Sequence, residues 1–390
     1  MLVLSPALMP LGSPIAGASA LPTTLHVVPA AAVAGAAVPT GLVTRSGNRL
    51  LLGGRPFRFT GANLYWLGLD DNIRDSIGSP TYPTKYRIRN ALQAAAGAGM
   101  TVIRSHTLGI SVGCAKCFEP TRGVFRSAAL ASADYAIAEA GRLGLKIVIP
   151  LTDQWRWYHG GESTFTGWRG YQNQPAGFNA ANSPAQRAAE AHFYTDPVVV
   201  ADYKAYISRL LGHVNPYTGL KYKDDPTIMA WETGNEIWTA NPSWTQEIAR
   251  FLKHDIGARQ LVADGTAATG MRTANAAING ADVDILGGHF YPIDTAWAAA
   301  DAATAKRSNK AYLIGEYAWT DVAATDRLLS TVESTPSISG ALIWTLLPYQ
   351  ENGLPEPHGD GYAFYSPATT PAMQTVLDRI KLNAVRLRSG

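Results

Sequence analysis

The chain reads as α/β: a single (β/α)8 TIM barrel over residues 41–390, with long loops after its third and eighth strands. Three observations predict this fold. Short apolar runs alternate with longer helical patterns from Leu42 onward, the rhythm of repeated βα units, and eight such runs can be counted. A length of 390 residues, 46% hydrophobic and 16% charged, suits one large domain of this kind. The rival architecture, an open doubly wound sheet, would carry a Gly-rich phosphate turn after an early strand. Gly53-Gly54 precedes the first strand and is no such turn.

The strands are expected at residues 57–63, 101–106, 146–151, 228–232, 260–263, 285–290, 312–316 and 341–346. Helices are expected between them at 84–98, 128–143, 197–213, 242–256, 295–308 and 321–335. Gly97 and Gly99, then Gly141 and Gly144, stop helices ahead of the next strand. The helix of the fifth unit, around residues 271–278, has the weakest pattern. The loops at 152–197 and 347–367 are longer than ordinary connections, and loops of that length in a compact domain usually serve function. Both fall on the C-terminal rim, where barrels of this type gather reactive groups.

Net charge is +3 with the signs interspersed, which speaks against nucleic acid or an anionic membrane as a partner. Residues 1–40 contain no Lys, Arg, Asp or Glu and are rich in Ala, Pro, Val and Leu. They read as an export signal followed by a flexible low-complexity stretch, so a secreted protein is expected. Proline at 6, 10, 14, 22 and 29 breaks the apolar runs and argues against a membrane span. The two cysteines, Cys114 and Cys117, are too few for a structural zinc site and are expected to form a disulfide bracing their loop.

The residues at the strand ends carry the functional argument. They are Asn63 with Tyr65 and Trp66, Arg104 with His106, Asp153 with Trp155, Asn235 with Glu236, His289 with Tyr291, and Glu316. Trp344 is expected within the eighth strand. Double displacement at a glycosidic bond needs one protonated and one ionised carboxyl on opposite sides of one sugar. Glu236 and Glu316, each following an apolar run, are candidates for that pair. The nucleophile must stay ionised, and Arg104, His289 and Tyr291 are expected to donate to Glu316. Asn235 is suited to grip the hydroxyl beside the reacting carbon, and Trp344 to floor the sugar. Aromatic faces stack on sugar rings, so Trp66, Trp155, Trp238 and Trp319, with Asp153, are expected subsite residues. Glu232 lies in register with Ala230, faces the barrel interior and reads as structural, paired with Arg58 or Arg104.

This ordered set resembles glycoside hydrolase family 5, in the clan of retaining barrel glycosidases. The resemblance spans Leu42 to Leu347. It implies that Glu236, in the Asn-Glu pair after the fourth strand, is the acid/base and that Glu316, ending the seventh, is the nucleophile. The family's other motif positions map onto Arg104, His289, Tyr291 and Trp344. The runs at 56–67 and 230–236 are similar to the family's endo-β-mannanases. The implied activity is a retaining endo-β-1,4-glycosidase acting on mannan or glucomannan, a monomer needing no metal or organic cofactor. Cellulose or another β-glycan is the first rival substrate. A non-catalytic carbohydrate-binding barrel is the second reading, since a fold alone does not establish chemistry.

Overall fold

A computed structural model describes residues 41–71, 80–155, 157–171, 184–237, 242–266 and 278–389. The expected export segment, residues 1–40, and the weak fifth-unit helix up to residue 277 lie outside the described residues. Eight parallel strands close into a barrel: β1 (Phe59–Asn63), β2 (Val102–Arg104), β3 (Lys146–Pro150), β4 (Ile228–Glu232), β5 (Leu261–Ala263), β6 (Ile285–Phe290), β7 (Ala311–Tyr317) and β8 (Ile338–Ile343). Neighbours pair in sequence order, and β8 returns to β1 through Gly340 opposite Phe59.

The barrel interior has two layers. Near the strand starts it is apolar, with Phe59, Val102, Met229, Leu261, Ile285 and Ala311 in one cluster. That cluster continues into Val43 and Leu50 of a small antiparallel sheet, Val43–Ser46, Arg49–Leu52 and Arg55–Pro56. The sheet thereby closes the N-terminal end. Near the strand ends the interior is polar, and this layer is the site described below.

Helices α1 (Lys85–Gly97), α2 (Ala131–Arg142), α3 (Pro197–Leu211), α4 (Pro242–Arg250), α5 (Thr295–Arg307) and α6 (Val322–Ser334) lie between the strands. Several start on side-chain caps. Thr84, Asp196, Asp294 and Asp321 each accept a backbone N–H of the first turn. A further helix, α7 (Pro371–Ser389), was not anticipated. It buries Met373, Val376, Leu377, Ile380, Ala384 and Leu387 at helical spacing and packs on α6 and β1.

Three expectations need correction. The eighth strand starts and ends three residues earlier than expected, so Trp344 stands just past its end rather than within it. The first strand begins at Phe59, because Phe57 instead packs its ring on Phe59 at a centroid distance of 5.6 Å. The long loop after β3 carries helical turns of its own, Glu162–Trp168, Pro184–Glu190 and His192–Thr195. Cys114 and Cys117 are joined by a disulfide with Cα atoms 5.0 Å apart. No described helix is long and apolar enough to cross a membrane.

Candidate active site

Arg104, the last residue of β2, is fully buried at the centre of the polar layer. Its guanidinium fork is satisfied by four side chains. Nε donates to Glu232 Oε2 at 2.7 Å, and Nη1 to Glu316 Oε1 at 2.7 Å and Asn63 Oδ1 at 3.2 Å. Nη2 donates to Asn235 Oδ1 at 2.8 Å. A buried cation is tolerable only when paired and hydrogen-bonded in this way. Glu232 therefore serves as a counter-ion, and its partner is Arg104, one of the two expected.

Glu316 lies opposite His289 in the β6–β7 register, next to an irregularity in the ladder at Ile314–Glu316. The glycine before it is required there. A Cβ on Gly315 would sit 2.6 Å from His289 Nε2. Tyr291 completes the surroundings by donating its hydroxyl to Glu316 Oε2 at 2.9 Å.

Glu236 has a φ of +50°, a left-handed conformation that costs a non-glycine residue on the order of 1–3 kcal/mol. The neighbouring backbone enforces it. Asn235 N–H donates to Thr152 O at 2.7 Å and Ile237 N–H to Gly265 O at 3.1 Å. A Cβ on Gly265 would lie 1.6 Å from Gly234 O, so only glycine allows that approach. The strain directs the carboxylate inward, where Oε1 meets His289 Nδ1 at 2.6 Å and Oε2 accepts Trp155 Nε1–H at 2.6 Å. One oxygen of Glu236, one of Glu316 and a nitrogen of His289 all lie within 4.8 Å of one another.

Electrostatics divide the pair. Burial, with the nearby charge of Glu236, pushes Glu316 up to about 7 against the pull of His289, Arg104 and Tyr291. Burial would raise Glu236 too, but the His289 hydrogen bond and charge, with the Trp155 N–H, hold it below the ordinary value. Burial opposes the charged form of His289, yet the two carboxylates raise it. His106 is kept well below the usual imidazole range, first by burial and then by Arg104. The trio Glu236, His289 and Glu316 has the spacing of a metal-ligand set, but its atoms already bond one another and Arg104. A guanidinium supplies the positive charge that an ion would bring.

A family model described as GH family 5 beta-mannosidase-like matches residues 40–328, well over half of the chain. The chain belongs to this family. Among its relatives, mannan endo-1,4-beta-mannosidase 3 of Arabidopsis thaliana is 31% identical over 232 residues, covering 58% of this chain and 50% of that protein. Mannan endo-1,4-beta-mannosidase 2 of Oryza sativa subsp. japonica is 32% identical over 254 residues, covering 63% and 52%. The chain thus spans about half the length of the curated relatives it matches. A glycoside hydrolase family 5 mannosidase structure from Rhizomucor miehei superposes with a TM-score of 0.74 at 20% identity, covering 90% of this chain and 99% of that one. An endo-1,4-beta-D-mannanase structure from Thermotoga petrophila gives 0.67 at 24% identity, covering 84% and 100%. At these identities the two structures establish the shared fold.

Within this family 5 barrel, the expected site residues divide. Arg104, Asn235, Tyr291 and Glu316 join through hydrogen bonds, while His289, expected on Glu316, bonds Glu236 instead and stands 3.6 Å from Glu316. Trp344 stands beside them, half-buried, stacked on Tyr65 at 5.5 Å and edge-on to His106 at 5.6 Å. Trp155 reaches the cluster through its indole N–H but is buried, so it touches Glu236 rather than offering an open face.

Asp153 is a correction. It is buried and both its oxygens are engaged, Oδ1 by Asn235 Nδ2 at 3.1 Å and the Trp155 N–H, Oδ2 by His159 at 2.9 Å. It orients Asn235 and has no exposed oxygen for a sugar. Trp66 is a second correction. It is 0% exposed beneath the Arg87 guanidinium, 5.1 Å from its ring, and cannot stack on substrate. Trp319 is a third, being largely buried with its N–H on Tyr362 O at 2.8 Å and its ring against Phe364. Trp238 lies outside the described residues. Of the two aromatics after β1 it is Tyr65, stacked on Trp344, that reaches the site, as strand parity from the inward Asn63 dictates.

Proposed function

We propose that this protein is a secreted, retaining endo-β-1,4-mannanase that hydrolyses mannan or glucomannan by double displacement, as a monomer. The observation that carries the mechanism is the approach of Glu236 and Glu316, with carboxylate oxygens within 4.8 Å. Retaining glycosidases hold their carboxyls about 5–5.5 Å apart, while inverting ones leave roughly 6.5–9.5 Å for a water. Mannan is favoured because the curated relatives are named mannan endo-1,4-beta-mannosidases. Secretion is favoured by the charge-free first forty residues and by the disulfide, which suits an oxidising compartment.

Glu316 attacks the anomeric carbon as the bond to the leaving oxygen breaks, and Glu236 delivers a proton to that oxygen. A glycosyl ester forms on Glu316. Glu236 then takes a proton from water, whose oxygen bonds the anomeric carbon and frees the Glu316 carboxylate. His289 lowers Glu236 while the two carboxylates raise His289, which favours the proton on His289 in the resting site. His289 and Glu236 share one 2.6 Å hydrogen bond, so shifting the proton from Nδ1 to Oε1 arms the acid without changing the cluster's net charge. Arg104 and Tyr291 continue to hold the Glu316 carboxylate.

The test is a panel of mannan, glucomannan, cellulose and xylan assayed for new reducing ends, with product anomers followed by NMR. Retained configuration and preference for mannan are expected. Inverted products would end the double-displacement reading, and a preference for cellulose would end the mannan reading.

A further inference from the structure

Asp360 has no part in the chemistry above, yet it holds the Trp344 platform in place. Its Oδ2 accepts Trp344 Nε1–H at 2.6 Å and lies 2.8 Å from His358 Nε2. Its Oδ1 accepts the Tyr362 N–H at 2.8 Å, a turn that Gly361 permits with a φ of +82°.

The segment bearing Asp360 is itself fixed. Thr345 N–H donates to Tyr362 O at 3.1 Å, Phe364 N–H to Thr345 O at 2.9 Å and Leu347 N–H to Phe364 O at 2.9 Å. The chain after β8 thus folds back along the residues that directly follow Trp344. From the opposite loop, Tyr65 Oη meets His358 Nδ1 at 3.2 Å while the Tyr65 ring stacks on Trp344. Trp344 is therefore fixed at its N–H edge by Asp360, on one face by Tyr65 and by an edge contact with His106. Trp344 itself is only half-buried at the rim.

The Asp360 side chain is 32% exposed. A carboxylate offers about four lone-pair sites. Tyr362 takes one on Oδ1, and Trp344 and His358 engage Oδ2. Oδ1 keeps one acceptor site.

We propose that Asp360 is a positioning and specificity-determining residue: it orients the Trp344 ring and accepts a hydroxyl of the glycan lying along that ring. The proposal rests on the glycan-hydrolysing function argued above.

The test uses the full chain with Asp360→Ala, Asp360→Asn and each combined with Trp344→Phe, read by kcat and KM on manno-oligosaccharides. Trp344 emission is read as the difference between variants with and without Trp344→Phe. Asp360→Ala is expected to raise KM about tenfold, the scale of a lost charge-assisted hydrogen bond, with a smaller change in kcat. It should also shift the Trp344 emission. Asp360→Asn keeps an acceptor for the indole, so the emission should hold while KM rises less. A raised KM with unmoved emission would overturn the positioning half, and moved emission with unchanged KM the specificity half. Wild-type protein inactive on every β-mannan would count against the enzymatic reading instead, and the emission measurements would still decide the positioning half.

Discussion

The two ends of the barrel use the same eight strands for opposite purposes. At the strand starts, Phe59, Val102, Leu261 and Ile285 pack beneath Val43 and Leu50 with no polar partner to satisfy. At the strand ends, Arg104, Glu232, His289 and Glu316 are equally buried but survive there only by pairing with one another. Apolar burial stabilises in proportion to area, about 25 cal/mol per Å2, and asks little of geometry. A buried charge costs several kcal/mol unless its partners are placed within a fraction of an ångström. Stability is thus drawn from one end, and the other tolerates strain such as the left-handed Glu236 backbone.

Exchanging the effects expected at the two ends would break this comparison. The largest effect belongs to Glu316→Ala, which should lower kcat on mannan by on the order of 10^4-fold or more while the chain still folds, Glu232 remaining to neutralise Arg104. Near-native turnover in that variant would remove Glu316 from the nucleophile's role. Glu236→Ala should cost on the order of 10^2–10^4-fold on mannan but far less on an aryl mannoside with a good leaving group. Equal losses on the two substrates would remove the acid role. At the opposite end, Leu50→Ala should cost about 2–5 kcal/mol in urea unfolding while kcat at low temperature stays at the wild-type value.

Two pH measurements sharpen the contrast. With Glu316 lifted to about 7, kcat/KM should climb through an apparent pKa near 7 as the nucleophile ionises. Tyr291→Phe removes a donor to the carboxylate and should move that limb upward. A limb that stays in place would detach Tyr291 from the nucleophile. The smallest effect concerns Asp264, which burial raises to about 6 against the hydrogen bonds from Thr266. The folded chain then holds a proton that the unfolded chain releases near 4, so this stability is complete below about 4 and lost as pH rises through 6. The melting temperature of Asp264→Asn relative to wild type should accordingly increase between pH 4 and 8. A constant difference would show that Asp264 does not titrate in that window.

The two ends also differed in how readable they were. The apolar runs announce the strands directly, and the Asn235-Glu236 and Glu316 positions follow from strand ends counted along the chain. The loop aromatics were harder. Trp66 and Trp319 have the composition of sugar platforms but sit under Arg87 and beside Phe364, because a large ring next to a rim is as often sealed by a neighbouring loop as exposed. Asp153 has the right chemistry for a sugar contact, yet Asn235 and His159 consume both its oxygens. Asp360 gave no signal, since its partner Trp344 meets it only where the chain folds back.

What the linear order of residues determines here is periodicity: where apolar runs recur, where glycine ends a helix, and which carboxylates fall at a strand's C-terminus. Those are local properties, set within a few residues by backbone sterics and side-chain spacing. Which of the rim groups share a proton, which are neutralised by Arg104 and which ring stays only half-buried depend on contacts between strands far apart in the chain. Barrel closure decided them, because hydrogen bonding and desolvation act over ångströms of space and are blind to distance along the chain.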